Sequence, residues 1–318
     1  MPTLTCDPVG AAGNGVVVVT YHQFGDHSSP LRNVTRADAL AAQLDYFAAN
    51  YNVISLGHLL AGEIPDNALL VTIDDAYKSV ADIFAPALRA RRLPAVFFAN
   101  PRPILEPFVP WHDALAMAHA KLGLRKVAGA AIPGEAAASF DDLTDRLMRM
   151  SPSELAGAKE RVLSQLGCTE AELHRASNLF LSADDMHRLA DSEIEIANHT
   201  MSHVRCGALS PAELHSEIVD AKGMLEGMTG KAVRAFAFPW GHERDATPAA
   251  LSAIRSSGHE AIFLMHARHN ARRPAPDIWY RALITNETGL RLRANLNVLP
   301  VLRSWRALAG GFGPRGQA

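Results

Sequence analysis

Short runs of apolar, β-branched residues alternate with segments of helical periodicity through most of the chain. The runs 16–20, 52–56, 69–74, 95–99, 193–198, 235–238, 260–264 and 281–285 have the length and residue types of strands. Between them lie helix-start signals. Ser151-Pro152 and Ser210-Pro211 each set an N-cap before a proline at the first helical position, and Glu154 and Glu213 complete capping boxes. Thr247-Pro248 repeats the cap and proline, and Ser182 pairs with Asp185. Strands alternating with helices predict an α/β fold with mostly parallel strands. About seven or eight strands without a glycine-rich dinucleotide fingerprint favour a partly closed, distorted (β/α) barrel over a doubly wound sheet.

The rhythm breaks over 101–180, where the pattern is helical with no convincing strand. We read this stretch as a helical insertion within a single catalytic domain spanning 1–318. The tail, 290–318, is rich in Leu and Arg and carries Trp305. It predicts an amphipathic terminal helix with a peripheral membrane contact as one role.

Composition narrows the classes. A chain of 318 residues that is 48% hydrophobic can bury a large core. With 31 Lys and Arg against 33 Asp and Glu, no basic excess points to nucleic acid. The apolar run at 16–19 is too short for a membrane helix or a secretory signal, which predicts a cytoplasmic protein. Cys6, Cys168 and Cys206 are unpaired in number and far apart, which suits reduced thiols.

Three clusters carry chemistry, each at a predicted strand end, where parallel α/β folds build their sites. In Thr72-Ile73-Asp74-Asp75-Ala76-Tyr77, two adjacent carboxylates follow an apolar strand. A backbone turn there brings both to one cavity, one to hold a metal and one to take a proton; an Asp N-cap is the plainer alternative. His199 and His203 lie four apart after another strand, which in a first helical turn puts both imidazoles on one face. Two imidazoles and a carboxylate suit one divalent metal, Zn²⁺ foremost, with Co, Ni and Fe also compatible. Pro239-Trp240-Gly241 ends a third strand in a tight turn and offers an aromatic platform for a sugar ring.

In this order the clusters resemble the polysaccharide deacetylases of carbohydrate esterase family four, which share the chitooligosaccharide deacetylase homology domain. Thr72-Ile73-Asp74-Asp75-Ala76 is similar to the family's Thr-Phe-Asp-Asp-Gly, His199 to His203 to its His-(Ser/Thr)-x-x-His, and Pro239-Trp240-Gly241 to its Pro-aromatic-Gly. The resemblance runs from about Val16 to Ile284, leaving out the insertion. It implies a metal-dependent hydrolase that removes an N-acyl group, acetyl foremost, from an amino sugar. By position it implies Asp74 as general base and Asp75, His199 and His203 as metal ligands. Tyr77, Pro239, Trp240 and Arg281 would lie on the substrate side, with the backbone N–H groups near Ala76 and Tyr77 toward the oxyanion.

The acid that protonates the departing amine is implied less directly. Many relatives carry it in a Leu-x-His motif on the last strand. Leu264-Met265-His266 has the letters but falls on an earlier strand. His22, after the first strand, matches a circularly permuted branch, because first and last strands are neighbours in a closed barrel. Ala76 replaces the motif glycine, and the arginine expected before Pro239 is absent, leaving Arg281 to orient Asp74. Cys206 reads as a buried thiol and His242 as solvent-facing.

A cytoplasmic location would direct the enzyme to a nucleotide-linked, lipid-linked or small soluble amino-sugar glycan in glycan or glycoconjugate biosynthesis. Trp111, His112 and Asp113 in the insertion would narrow the cleft. The rival readings are a non-hydrolytic carbohydrate-binding pseudoenzyme and an iron-dependent enzyme on the same fold.

Overall fold

A computed structural model describes residues 15–26, 29–266, 270–271 and 277–298. Cys6 and the tail beyond residue 298 lie outside the described residues. The chain opens with β1 (Gly15–Tyr21) and a small parallel pair, β2 (Gln23–Phe24) with β3 (Val34–Thr35). There follow α1 (Ala37–Asn50), β4 (Asn52–Val53), α2 (Leu56–Leu60), β5 (Ala68–Asp74), α3 (Ala85–Arg89) and β6 (Ala95–Ala99). A helical stretch comes next: α4 (Arg102–Leu105), α5 (Trp111–Leu122), α6 (Leu124–Ala131), α7 (Phe140–Leu147), α8 (Pro152–Leu166) and α9 (Glu170–Ser177). Strand and helix then alternate again through α10 (Ala183–Ala190), β7 (Ile194–Asn198), α11 (Pro211–Leu214), α12 (Ala221–Thr229), β8 (Ala235–Ala237), α13 (Pro248–Ser256) and β9 (Ala261–Leu264). The last described elements are β10 (Asn270–Ala271), β11 (Ile278–Tyr280), β12 (Ala282–Leu283) and α14 (Gly289–Arg293).

The strands order as β10-β1-β5-β6-β7-β8-β9-β11, and from β1 to β11 every pairing is parallel. The ends of this sheet meet through one continuous segment. Its first half, β11, pairs with β9, and its second half, β12, pairs with β1 through Val19↔Ala282 and Thr20↔Leu283. The result is a nearly closed, distorted (β/α) barrel, as the strand pattern predicts.

Strands covered on both faces read as unbroken apolar runs, and β5 is buried at every position. Ala68 and Leu70 face the barrel interior with Val16, Val18, Val96, Phe98, Phe263 and Trp279. Ala197, Ala235, Ala237 and Ala261 make room there for the larger rings. Leu69, Val71 and Ile73 alternate outward onto Leu40, Leu44 and Phe47 of α1 and Met186 and Leu189 of α10. Burial of one such side chain is worth roughly 1.5–3 kcal/mol, so this two-sided packing fixes register as well as stability.

Cap signals form where the sequence places them. Ser151, Ser182 and Ser210 each make a capping box, and Thr247 caps α13. The predicted strand at 52–56 stops early because Ser55 and His58 form another capping box that opens α2. The strand at 281–285 shortens to β12, and Trp279, inward on β11, belongs to a strand the pattern left out. Helices α5 to α8 enclose their own small core, including Leu115, Val127, Leu143 and Val162, and Trp240 of the barrel rim packs against it. Among the described residues no helix is long and apolar enough to cross a membrane.

Candidate active site at the carboxyl rim of the barrel

Four parallel strands end on the same rim, three of them handing over to a polar residue and the fourth to a Phe-Pro-Trp turn. His22 follows β1, Asp75 follows β5, His199 follows β7, and Phe238-Pro239-Trp240 follows β8. The backbone at these handovers is unusual. Asp75, Thr200, His203 and Trp240 all have positive φ, at 71°, 67°, 57° and 57°. Side chains other than glycine pay for that conformation with steric strain, which surrounding contacts must hold in place. At Asp75 the reversal lets two neighbouring carboxylates, opposed in a regular strand, face one cavity.

The two histidines sit on a bend rather than in a helical turn, a correction to the spacing argument. Thr200 Oγ1 accepts from the N–H of His203 at 3.1 Å, and Asn198 Oδ1 accepts from the N–H of Thr200 at 2.9 Å. Asn100, one residue past β6, donates to the carbonyls of His199 and Thr200. Neither asparagine stood out in the sequence, although Asn100 takes the place after β6 that His199 takes after β7.

Asp75, His199 and His203 are buried, and their ligand atoms lie within 4.8 Å of one another. His203 Nε2 is 3.3 Å and His199 Nε2 is 3.7 Å from Asp75 Oδ1. The Ala237 carbonyl engages His199 Nδ1 at 2.8 Å, which fixes that ring and leaves Nε2 facing the carboxylate. Burial, with Asp74 and Asp113 nearby, pushes the Asp75 carboxyl well above its usual range. Burial also keeps His199 neutral, down to about 4, and holds His203 well below its ordinary value. A buried carboxylate beside other acids, facing two neutral imidazoles, is a donor set that a divalent cation would satisfy.

Asp74 stands apart from this group in its partner. Arg281, fully buried inside the barrel, grips it with Nη1 at 2.5 Å from Oδ1 and Nη2 at 2.8 Å from Oδ2. Burial would raise the Asp74 carboxyl, but the Arg281 guanidinium, by its charge and its hydrogen bonds, holds it below the usual range, so it is ionised. Thr20 and Thr72 flank Arg281 Nη1 at 3.3 and 3.4 Å, and Phe98 lies under the guanidinium. Arg281 is therefore no open substrate contact; it sits beneath the rim and acts on Asp74. His22 Nε2 is 3.9 Å from Asp74 Oδ2, and burial lowers its pKa to about 4.

Pro239 is buried, whereas Trp240 is half-buried with its ring 4.4 Å from that of His203. A Cβ on Gly241, at φ 64°, would collide with the Met265 backbone, so this turn requires glycine. The Tyr77 ring stacks on Phe180 and its hydroxyl donates to Asp113 Oδ1 at 2.9 Å, within the electrostatic reach of Asp75. Cys206 packs among Leu214, Ile218 and Phe236, apart from the Asp75, His199 and His203 group. The insertion supplies Trp111, stacked on Trp240 at 5.8 Å, and His112, whose ring is 4.5 Å from that of His203.

Residues 129–262 match the polysaccharide deacetylase family. That match includes His199, His203 and Trp240. No curated protein matches the sequence significantly. Among solved structures, the deacetylase PplD of Streptococcus pyogenes, in complex with acetate, shares 12% identity at a TM-score of 0.58, covering 89% of this chain and 99% of its own. A de-N-acetylase from Aggregatibacter actinomycetemcomitans shares 17% at a TM-score of 0.58, covering 88% and 99%. IcaB from Ammonifex degensii shares 20% at 0.53, covering 86% and 93%. At these identities the likeness establishes a shared fold.

Proposed function

Starting from a chain with a polysaccharide deacetylase match and the fold of deacetylases, we propose a metal-dependent amide hydrolase that removes an N-acetyl group from an amino sugar. The observation that carries the reading is the division between two adjacent carboxylates. Asp75 faces two neutral imidazoles, while Asp74 is ionised and pinned by Arg281 within 3.9 Å of His22.

Asp75, His199 and His203 would hold the cation. When bound, it supplies a Lewis acid that polarises the acyl oxygen and makes water easier to deprotonate. Asp74, anionic at neutral pH, takes the proton as water attacks the acyl carbon. Its low pKa makes it a weak base, and the Arg281 fork keeps it aimed. His22 is neutral at rest, so it can receive that proton from its neighbour and hand it to the departing nitrogen. The amine then leaves as the C–N bond breaks, with acetate as the other product. Trp240 offers its half-exposed face to the sugar ring, and the substrate carrier, nucleotide, lipid or free glycan, is set beyond this centre.

The test is acetate release from N-acetylated amino sugars by zinc- or cobalt-loaded protein, beside Asp74→Asn. Release that falls at least about a hundredfold in the variant, with metal content unchanged, supports the reading. Glycan binding without any release would overturn it in favour of a carbohydrate-binding protein.

A further inference from the structure

The bend that carries both histidines is gripped by one residue of a neighbouring helix. Every backbone N–H from His199 to His203 has an acceptor. The His199 N–H donates to the Ala99 carbonyl at 3.0 Å, the Thr200 N–H to Asn198 Oδ1, and the His203 N–H to Thr200 Oγ1. Those acceptors belong to the strand ends or to the bend itself. The other two N–H groups turn to Glu217, which is half-buried. Met201 donates to its carbonyl at 2.9 Å, and Ser202 to its Oε2 at 3.0 Å. The Ser202 hydroxyl adds a third bond, donating to Glu217 Oε1 at 2.6 Å.

The helix carrying Glu217 departs from regularity at this contact. Between α11 and α12 it widens into a π turn, His215–Asp220. A regular α-helix bonds each N–H to the carbonyl one turn back, which for Ala221 is that of Glu217. Here the Ala221 N–H donates to the Ile218 carbonyl instead, and the Glu217 carbonyl accepts from Met201. The Ile218 carbonyl also accepts from Asn198 Nδ2 at 2.8 Å. Successive carbonyls of the widened turn thus hold the chain on either side of His199. Such turns recur at functional sites, where the opened ladder leaves backbone groups for other partners.

The two histidines need this support unequally. The Ala237 carbonyl fixes His199 through Nδ1, whereas His203 Nδ1 has no hydrogen-bond partner among the described residues. Only the backbone aims His203, and that backbone is left-handed at both Thr200 and His203. Resting on the reading of Asp75, His199 and His203 as a cation site, we propose that Glu217 is its positioning residue. The Glu217 carbonyl and carboxylate lock Met201 and Ser202, and thereby present His203 to Asp75 before any ion arrives. Glu217 touches neither the ion nor the substrate; its effect passes through the direction of one imidazole.

The experiment titrates metal-free wild type, Glu217→Ala, Glu217→Gln and Ser202→Ala with zinc against a chromogenic chelator, with folding checked by near-ultraviolet circular dichroism. Glu217→Ala should bind zinc at least about tenfold more weakly. Glu217→Gln keeps both prongs: its amide oxygen accepts from the Ser202 N–H, and the Ser202 hydroxyl turns to accept from its amide nitrogen. It should stay within about threefold of wild type. Ser202→Ala keeps only the backbone prong and should lose about fivefold. Cobalt-loaded Glu217→Ala should also show shifted d–d bands, because one imidazole is no longer held toward the ion. A folded Glu217→Ala with wild-type zinc affinity, or a Gln variant as weak as the Ala variant, overturns the positioning role and leaves the cation site standing. If Glu217→Ala does not fold, unchanged zinc affinity in Ser202→Ala has the same force. No zinc or cobalt bound by wild type sinks both.

Discussion

Arg281 and Asp74, 207 positions apart in the sequence, meet as a two-pronged ion pair inside the barrel. Arg281 lies between β11, which pairs with β9, and β12, which pairs with β1, so the residue at the seam of the barrel also holds its candidate base. Closure of the fold and alignment of Asp74 are one event.

Removing Arg281 leaves a carboxylate buried without its countercharge. We expect Arg281→Ala to destabilise the fold by about 3–5 kcal/mol in denaturant titrations. Catalysis should fall at least about a hundredfold, and Arg281→Lys should recover little of it because an ammonium cannot make the paired contact. Full activity in Arg281→Ala would refute the orienting role.

Metal content gives a test independent of any substrate. Purified or reconstituted protein should carry about one equivalent of a divalent metal by elemental mass spectrometry. The Asp75→Ala, His199→Ala double variant should carry none. Equal metal in both proteins would mean that the ion sits elsewhere.

Stability should depend on pH through a histidine outside the site. His259 is buried, engaging the Ile254 carbonyl through Nδ1 and Asn198 through Nε2, and burial lowers its pKa to about 4 from 6.5. The unfolded chain therefore binds more protons between these values, and its contribution to stability is present above pH 6.5 and lost as pH falls toward 4. The full loss is about 3 kcal/mol for this group. In His259→Gln that portion of the acid-induced drop in denaturation midpoint should disappear; an unchanged pH slope would contradict the neutral, buried assignment.

Two glycines separate a required position from a permissive one. Gly241→Ala forces a side chain onto left-handed backbone and into Met265, and should cost more than about 2 kcal/mol while shifting Trp240. Gly227→Ala, in α12 with nothing near its added carbon, should be neutral or stabilising by up to about 1 kcal/mol. Thermal unfolding of both variants decides the contrast.

The barrel was legible because its strands are covered on both faces, so 69–74 and 95–99 read as apolar runs wherever register matters. The polar residues at the strand ends stood out through their combination, since Asp74 with Asp75, or His199 with His203, would each alone suit a cap or a core role as well. What periodicity could not convey was backbone direction at those ends. A four-residue spacing suits a helical turn, yet hydrogen bonds from Asn198, Thr200 and Asn100 hold a bend that no local propensity favours. The partner of Asp74 could be suggested but not oriented, because its place depends on closing the barrel across the whole chain.

The left-handed backbone at Asp75, Thr200, His203 and Trp240 also bears on how this protein can evolve. Glycine would relax each position, and selection for heat resistance alone would tend to find it there. Yet glycine at Thr200 discards the hydroxyl that anchors His203, and glycine at the other three deletes a carboxylate, an imidazole or an indole. Stabilising drift is thereby steered away from the rim and toward the helices around the barrel. A library screened only for thermal survival should accumulate changes at the rim that leave a sturdier, idle protein.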